Sequence, residues 1–268
     1  MIKTLRATRK ATLFFIITAL MAPIAILLNV FSKNASGTLI RSWHRIICWA
    51  LTVDVIVTGT DIENRANAYI ANHCSYIDIT VMGGLLNGNF IAKSAIADWP
   101  LIGTLAKIAG TLFIEKKPHH AGKHISMLEK SLNASEKLIF FPEGTSTEGR
   151  KVMPFKPSLF QPFMADDSLI QPITLAYFNQ ESFSPLSDAE VEQVAWLTDD
   201  GFFSHLWQFL KHPGITVVME LQPAVSTSQF ADRKALALKL QRDISMRLLS
   251  LYSATHDRDI VYEVGTQI

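Results

Sequence analysis

A histidine and an aspartate five residues apart carry the first recognisable chemistry in this chain: His73 and Asp78, in Ala71-Asn72-His73-Cys74-Ser75-Tyr76-Ile77-Asp78. The apolar run Asn67-Ala68-Tyr69-Ile70 before them reads as a strand, and Ile79 to Leu86 after them as the first turns of a helix. The histidine therefore stands at the carboxyl end of a strand, the edge of an α/β sheet where ligands gather. The turn between strand and helix can bring the imidazole back onto the carboxylate. A carboxylate on one ring nitrogen fixes the tautomer and leaves the other nitrogen to take a proton from a hydroxyl. The same residues fit a second arrangement, because Ser75-x-x-Asp78 has the spacing of a helix capping box.

Polar groups recur at other strand ends. Lys93 follows Phe90-Ile91-Ala92, and Glu115, Lys116 and Lys117 follow Phe113-Ile114. Pro142-Glu143-Gly144-Thr145-Ser146-Thr147 follows Phe140-Phe141, with Arg150, Lys151 and Lys156 beyond. Each lies at a turn able to face the cleft of His73. Gly144 and its neighbours could present backbone N–H groups to an oxyanion, and the cations could hold a phosphate. Taken singly, a lysine at a strand end is a solvated charge, and Pro-Glu-Gly is a turn. Cys74 neighbours His73 on an extended segment, where adjacent side chains point apart, so a Cys–His nucleophile pair is not expected. There is no Gly-x-Ser-x-Gly elbow, which argues against an α/β-hydrolase. His120 and His124 are at i, i+4 without an evident third ligand and read as an exposed helix face. No metal or organic prosthetic group is implied.

These residues need a scaffold, and the chain supplies it in two parts. Hydrophobic residues make up 49% of 268, while the net charge of +1 gives no footprint for nucleic acid. The apolar excess lies at the start. After Lys3, Arg6, Arg9 and Lys10, the 22 residues from Ala11 to Ser32 carry no charge. As a helix they would span about 30 Å of hydrocarbon. Signal-peptide cleavage near Ala19-Leu20-Met21-Ala22 fits poorly, because the apolar run continues past it. Pro23 points to a kink. Thr38 to Thr52 reads as a basic, tryptophan-bearing amphipathic helix suited to a bilayer surface. Basic residues flank the apolar run on both sides, which points to a hairpin with both ends on the cytosolic face. From Val53 onward strands alternate with helices: Val53 to Thr58, Leu138 to Phe141, Leu169 to Phe178 and Ile215 to Leu221 read as strands, and Ser226 to Tyr252 as the longest later helix, with Leu236, Leu240, Ile244, Leu248 and Leu251 as its apolar stripe. The expected class is α/β: a mixed, largely parallel sheet flanked by helices, with an N-terminal hydrophobic helical membrane anchor. Boundaries fall at residues 1–52 for the anchor, 53–255 for the α/β domain and 256–268 for a frayed tail. Two cysteines, Cys48 and Cys74, do not make a disulfide framework, in keeping with a reducing compartment.

Four segments in order carry a resemblance. They are Asn72-His73-x4-Asp78, Gly110-Thr111-Leu112-Phe113-Ile114-Glu115-Lys116, Phe141-Pro142-Glu143-Gly144-Thr145-Ser146, and Gln171-Pro172-Ile173-Thr174. The stretch from Val53 to Ala224 resembles the glycerolipid acyltransferase family, whose bacterial type is the 1-acylglycerol-3-phosphate acyltransferases. The resemblance implies that His73 is the general base and Asp78 its orienting partner. It assigns Glu143, Gly144 and Thr145 to acceptor binding and site structure. Lys93 and Lys116 would face phosphate, with Lys156 a further cation. The family usually has arginine where Lys116 stands, and lysine grips phosphate as a point charge only. The oxyanion donor is expected from a backbone N–H of the first motif or of Gly144. The implied reaction moves a fatty acyl group from acyl-CoA or acyl carrier protein to lysophosphatidate, giving phosphatidate, at the inner membrane with the catalytic domain on the cytosolic side. A second acceptor stands beside it. The run Phe141 to Phe160, with Ala195-Trp196 and Asp199-Asp200, also resembles the lyso-ornithine-lipid acyltransferases, whose acceptor head group lacks phosphate. A non-catalytic lipid-binding protein and a thioester hydrolase are the readings from other classes; the intact His73–Asp78 pair argues against the first.

Overall fold

A computed structural model of the chain describes residues 1–115, 121–165, 167–197, 201–254 and 266–267. Two helices open it, α1 (Ile2–Phe31) and α2 (Lys33–Leu51). The break between them is Ser32, whose extended backbone stops α1 and whose hydroxyl accepts the Ala35 N–H at 3.3 Å to start α2. The helices run antiparallel, as expected of a hairpin. Near the break, Ser36 Oγ donates to Ala25 O at 3.0 Å; farther away, Trp43 Nε1 donates to Thr18 Oγ1 at 3.1 Å. Pro23 does not end the helix: α1 is one continuous run of 30 residues. It is long and apolar enough to cross a membrane, and its side chains from Phe15 to Phe31 include eight large exposed apolar ones. It is a candidate membrane anchor.

The sheet follows in the order β4-β3-β5-β2-β6-β7-β1-β9, with the short β8 (Val225–Ser226) beside β6. Its strands are β1 (Val53–Gly59), β2 (Ala68–Ala71), β3 (Asn89–Lys93), β4 (Leu112–Ile114), β5 (Leu138–Phe140), β6 (Leu169–Asn179), β7 (Ile215–Leu221) and β9 (Thr266–Gln267). From β4 to β6 every pair is parallel; β7 turns antiparallel to β6, and β1 runs parallel to β7. The carboxyl ends of β2, β3, β4 and β5 therefore share one edge, and the chemistry-bearing segments leave from it.

Side chains alternate across this sheet. Tyr69 and Ala71 face one apolar layer with Leu175 and Tyr177, covered by α2, α3 (Ile77–Leu85), α6 (Asp188–Val194) and α7 (Phe202–Lys211). Ala68 and Ile70 face the other, with Phe140 and Phe178, beneath α5 (Ala121–Asn133), the 3-10 turn Pro157–Phe163 and α8 (Arg233–Ala254). The apolar stripe Leu236, Leu240, Ile244 and Leu248 of α8 is fully inside. A short α4 (Ile102–Ile108) stands between β3 and β4.

Three expectations need correction. The last long helix begins at Arg233 rather than Ser226, because the Asp232 carboxylate accepts the N–H groups of Lys234 and Ala235 at 2.8 Å each. The C-terminal tail is not frayed throughout, since Thr266 and Gln267 pair antiparallel with Val57 and Ile56. The helices α6 and α7 were not anticipated; α6 is set by Ser187 and Glu190, which form a true capping box.

Two glycines let α2 approach the helix that carries Asp78. A Cβ on Gly83 would lie 2.7 Å from the His44 ring, and one on Gly84 would lie 3.1 Å from Arg45 Cγ. Arg45 Nε fills the gap by donating to Gly84 O at 2.6 Å. A mid-helix glycine costs about 0.5–1 kcal/mol relative to alanine, and close packing of α2 on α3 outweighs that cost. Gly83→Ala is therefore expected to lower the melting temperature despite its better helix propensity. Gly122→Ala in α5, where a Cβ meets nothing within 4 Å, is expected to raise it. Thermal unfolding in detergent measures both signs.

Candidate active site

The chain leaves β2 at Ala71 and must turn before α3 can begin. Asn72 makes that turn compatible with the sheet. Its side-chain amide accepts the Leu175 N–H and donates to Leu175 O, both at 2.9 Å, replacing the ladder bonds that the departing backbone no longer makes. His73 and Asp78 then close on each other. His73 Nδ1 lies 2.7 Å from Asp78 Oδ2. The same oxygen accepts the N–H groups of Cys74 at 2.8 Å and Ser75 at 3.0 Å. Of the capping box that the spacing also allows, only half is present: Asp78 folds back on the Ser75 N–H while it holds the imidazole. The Ser75 hydroxyl plays no part as a cap and has no hydrogen-bond partner among the described residues. Asp78 is 0% exposed, and its other oxygen accepts the Tyr177 hydroxyl.

With a carboxylate on Nδ1, that nitrogen carries the proton, and Nε2 is left as the acceptor. The ring is 17% exposed and stacks on Phe141, with centroids 4.1 Å apart and planes within 10°. It lines a cavity of about 710 Å³. Lys93, Gly144, Thr145 and Lys156 line the same cavity, so the carboxyl ends of β2, β3 and β5 converge there. Lys116 lies outside the described residues, as do His120 and Asp199-Asp200.

Glu143 is placed differently from the expectation. It is 3% exposed and does not line the cavity. One carboxylate oxygen accepts His73 N–H at 2.7 Å and the other accepts Met153 N–H at 2.8 Å. It holds the backbone of the histidine from behind. Burial raises its carboxyl to about 7 against the two N–H groups, which pull it down. The loop carrying it is pinned to the same turn, for Thr147 N–H and Oγ1 both donate to His73 O, at 2.9 and 3.1 Å. Gly144 has φ +67°, and a Cβ there would overlap the ammonium end of Lys156. Its N–H donates to Phe141 O at 3.0 Å, so neither it nor the first-motif N–H groups of His73, Cys74 and Ser75 are available to an oxyanion. The N–H groups of Thr145 and Ser146, next along the cavity wall, have no acceptor among the described residues.

The sequence does not reveal Tyr177, Trp99 and Phe202 as site residues, nor the place of Tyr76 and Trp196 in the site wall. Tyr177 lies 99 positions from Asp78. Tyr76, Trp99, Trp196 and Phe202 form an aromatic wall, with Trp99 and Phe202 centroids 4.7 Å apart. Trp196 N–H donates to Cys74 O at 3.0 Å and so locks this wall to the His73 turn. Cys74 itself is buried against Gly149, and burial pushes its thiol well up, in line with an inert role. The N-terminal hairpin also reaches the site, since Phe14, Leu39 and Trp43 line the cavity. Arg6 and Lys10 donate to the last carbonyls of α7, Lys211 O and His212 O, at 2.9 Å each.

The raised Glu143 carboxyl has a consequence for stability. The folded state keeps this proton to about pH 7, whereas an unfolded glutamate releases it near 4.5. Between those values the native state binds more protons, so the contribution of Glu143 is greatest below pH 4.5 and declines as pH rises to 7. Melting temperatures of wild type and Glu143→Gln across that range should differ in slope, the wild type falling more steeply.

Comparison with known proteins gives the family. The family model described as Acyltransferase matches residues 54–176. A lyso-ornithine lipid O-acyltransferase of Pseudomonas aeruginosa is 30% identical over 220 residues, 82% of each chain. One from Rhodobacter capsulatus is 36% identical over 176 residues, 63% of this chain and 61% of that protein. The crystal structure of the 1-acyl-sn-glycerophosphate (LPA) acyltransferase PlsC from Thermotoga maritima superimposes with a TM-score of 0.69 at 18% identity, covering 96% of this chain and all of that one. The fold is therefore that of PlsC, and the chain belongs to the acyltransferase family.

Proposed function

We propose that this protein transfers a fatty acyl group from a thioester donor to the free hydroxyl of a membrane lysolipid. The observation that carries this is the His73–Asp78 pair on the wall of an apolar cavity, with Nδ1 bound and Nε2 left as the base. His73 takes the hydroxyl proton as the acceptor oxygen attacks the thioester carbonyl. The tetrahedral oxyanion falls to the N–H groups of Thr145 and Ser146. Collapse expels the thiolate, and the imidazolium returns the proton to it. No covalent enzyme intermediate is needed.

The relatives favour lyso-ornithine lipid as acceptor over the lysophosphatidate expected first. The cavity supports that order, since no arginine lines it among the described residues. Lys93 and Lys156 supply point charges, suited to the carboxylate of an ornithine head group and less to bidentate capture of phosphate. The same two lysines keep lysophosphatidate as the second reading, with Lys116 as a third cation by resemblance. Donors are acyl-CoA or acyl carrier protein. The apolar α1 and the basic residues at both ends of the hairpin support a site on the cytosolic face of the inner membrane.

Membranes containing the protein, given labelled acyl-CoA or acyl carrier protein with either acceptor, test this. Wild type should form ornithine lipid, and His73→Ala should lose about 10²–10⁴-fold in rate while remaining folded. Formation of phosphatidate alone would replace the acceptor and keep the mechanism. Free fatty acid without acylated product would make the protein a hydrolase, and no turnover by folded protein would overturn the reading.

A further inference from the structure

The base has a third partner that the reaction as described does not use. Asp78 divides its oxygens: Oδ2 takes three donors from its own turn, and Oδ1 takes the Tyr177 hydroxyl from β6. Tyr177 is 2% exposed, and burial beside the Asp78 charge pushes its phenol far above the ordinary value. Its hydroxyl therefore remains a donor at every working pH. Its position is fixed by the same strand ending that frees His73. Along the edge of β6, Ile173 pairs with Ala71 of β2, and Leu175 pairs with the Asn72 side chain. Two residues on, the Tyr177 N–H donates to the Tyr252 hydroxyl of α8 at 3.2 Å, which in turn donates to Gly149 O at 3.0 Å.

We propose that Tyr177 is a positioning residue of the base, whose hydroxyl both holds Asp78 in line with His73 Nδ1 and sets the proton affinity of His73. This rests on the reading of His73 as general base. The hydroxyl withdraws charge from the carboxylate. Less charge on Oδ2 means a weaker hold on imidazolium, so His73 stays unprotonated to lower pH. Removing the hydroxyl leaves Oδ1 buried without a donor, frees the carboxylate to rotate, and strengthens its pull on the imidazolium. The other titratable or charged groups about the pair are Glu143 from the β5 loop, Cys74 from the turn, Tyr252 from α8 and Arg150 beyond it. Of these, the Glu143 carboxyl is raised to about 7 by burial, so the proton on His73 must be read directly.

The experiment is titration of the His73 ring by NMR in folded, detergent-solubilised protein, beside steady-state kinetics. Tyr177→Phe should raise the His73 pKa by about one unit. It should move the acid limb of kcat upward equally, and lower kcat roughly tenfold with both KM values nearly unchanged. A fluorotyrosine at position 177, a stronger donor of the same shape, should shift the His73 pKa downward and keeps the question open to test should Tyr177→Phe not fold. Tyr252→Phe removes the neighbouring bridge without touching Asp78. It should lower stability and leave the His73 pKa where it is. A His73 titration that is the same in wild type, Tyr177→Phe and the fluorotyrosine protein would overturn the proposal. Absence of turnover in wild type would defeat the functional reading instead, and the titration would still decide the role of Tyr177.

Discussion

A single buried carboxylate organises this end of the molecule. Asp78 has no contact with water and accepts four hydrogen bonds, three on one oxygen and one on the other. A carboxylate in such a place is stable only when fully paired, because the cost of burying an unpaired charge exceeds the margin of stability of a whole domain. The pairing dictates the neighbours. Two donors are consecutive backbone N–H groups, which forces the turn; one is the imidazole, which fixes its tautomer; one is a tyrosine of the next strand, which ties the turn to the sheet. Helix start, base and sheet register are thereby different faces of one electrostatic requirement.

The second carboxylate does complementary work. Asp78 holds the ring of His73, and Glu143 holds its main chain. Glu143 arrives from the end of β5, the direct parallel neighbour of β2, and its loop also donates to the carbonyl of His73 through Thr147. The histidine is thus gripped at its N–H, its C=O and its Nδ1. Among the described residues the remaining ring nitrogen has no hydrogen-bond partner, which is the condition a base must meet.

Much of the scaffold was legible in the sequence because its signals are local. The strands around Val55, Ile70, Ile139, Leu175 and Val217 are short runs of apolar residues, and α8 carries a stripe at helical spacing. Parallel order and the common edge follow from alternation of strand and helix. The His73–Asp78 contact was legible for the same reason, since both ends lie in one turn. What escaped depends on distance along the chain. Tyr177 looks like any inward strand residue until β6 is seen beside β2. Glu143 adjoins Gly144, which does line the cavity, and only the fold reveals that the glutamate points back toward His73 while the glycine faces outward. Helices α6 and α7 are short and set by capping and packing more than by periodicity, and the aromatic wall draws Tyr76, Trp99, Trp196 and Phe202 from four separate places in the chain, so neither is visible as a unit in the sequence.

The hairpin of α1 and α2 is more than a tether. Its residues Phe14, Leu39 and Trp43 belong to the same cavity wall as His73, and Arg6 and Lys10 fasten it to the end of α7. Each methylene lifted from hydrocarbon into water costs about 0.8 kcal/mol, a prohibitive sum for a long chain. On the proposed function, a lipid tail entering beside the hairpin would lie against the apolar side chains that line the cavity with His73. With an acceptor of that kind no extraction would be needed: the oily phase would in effect continue into the protein as a dry slipway, and only the head group would have to turn toward His73.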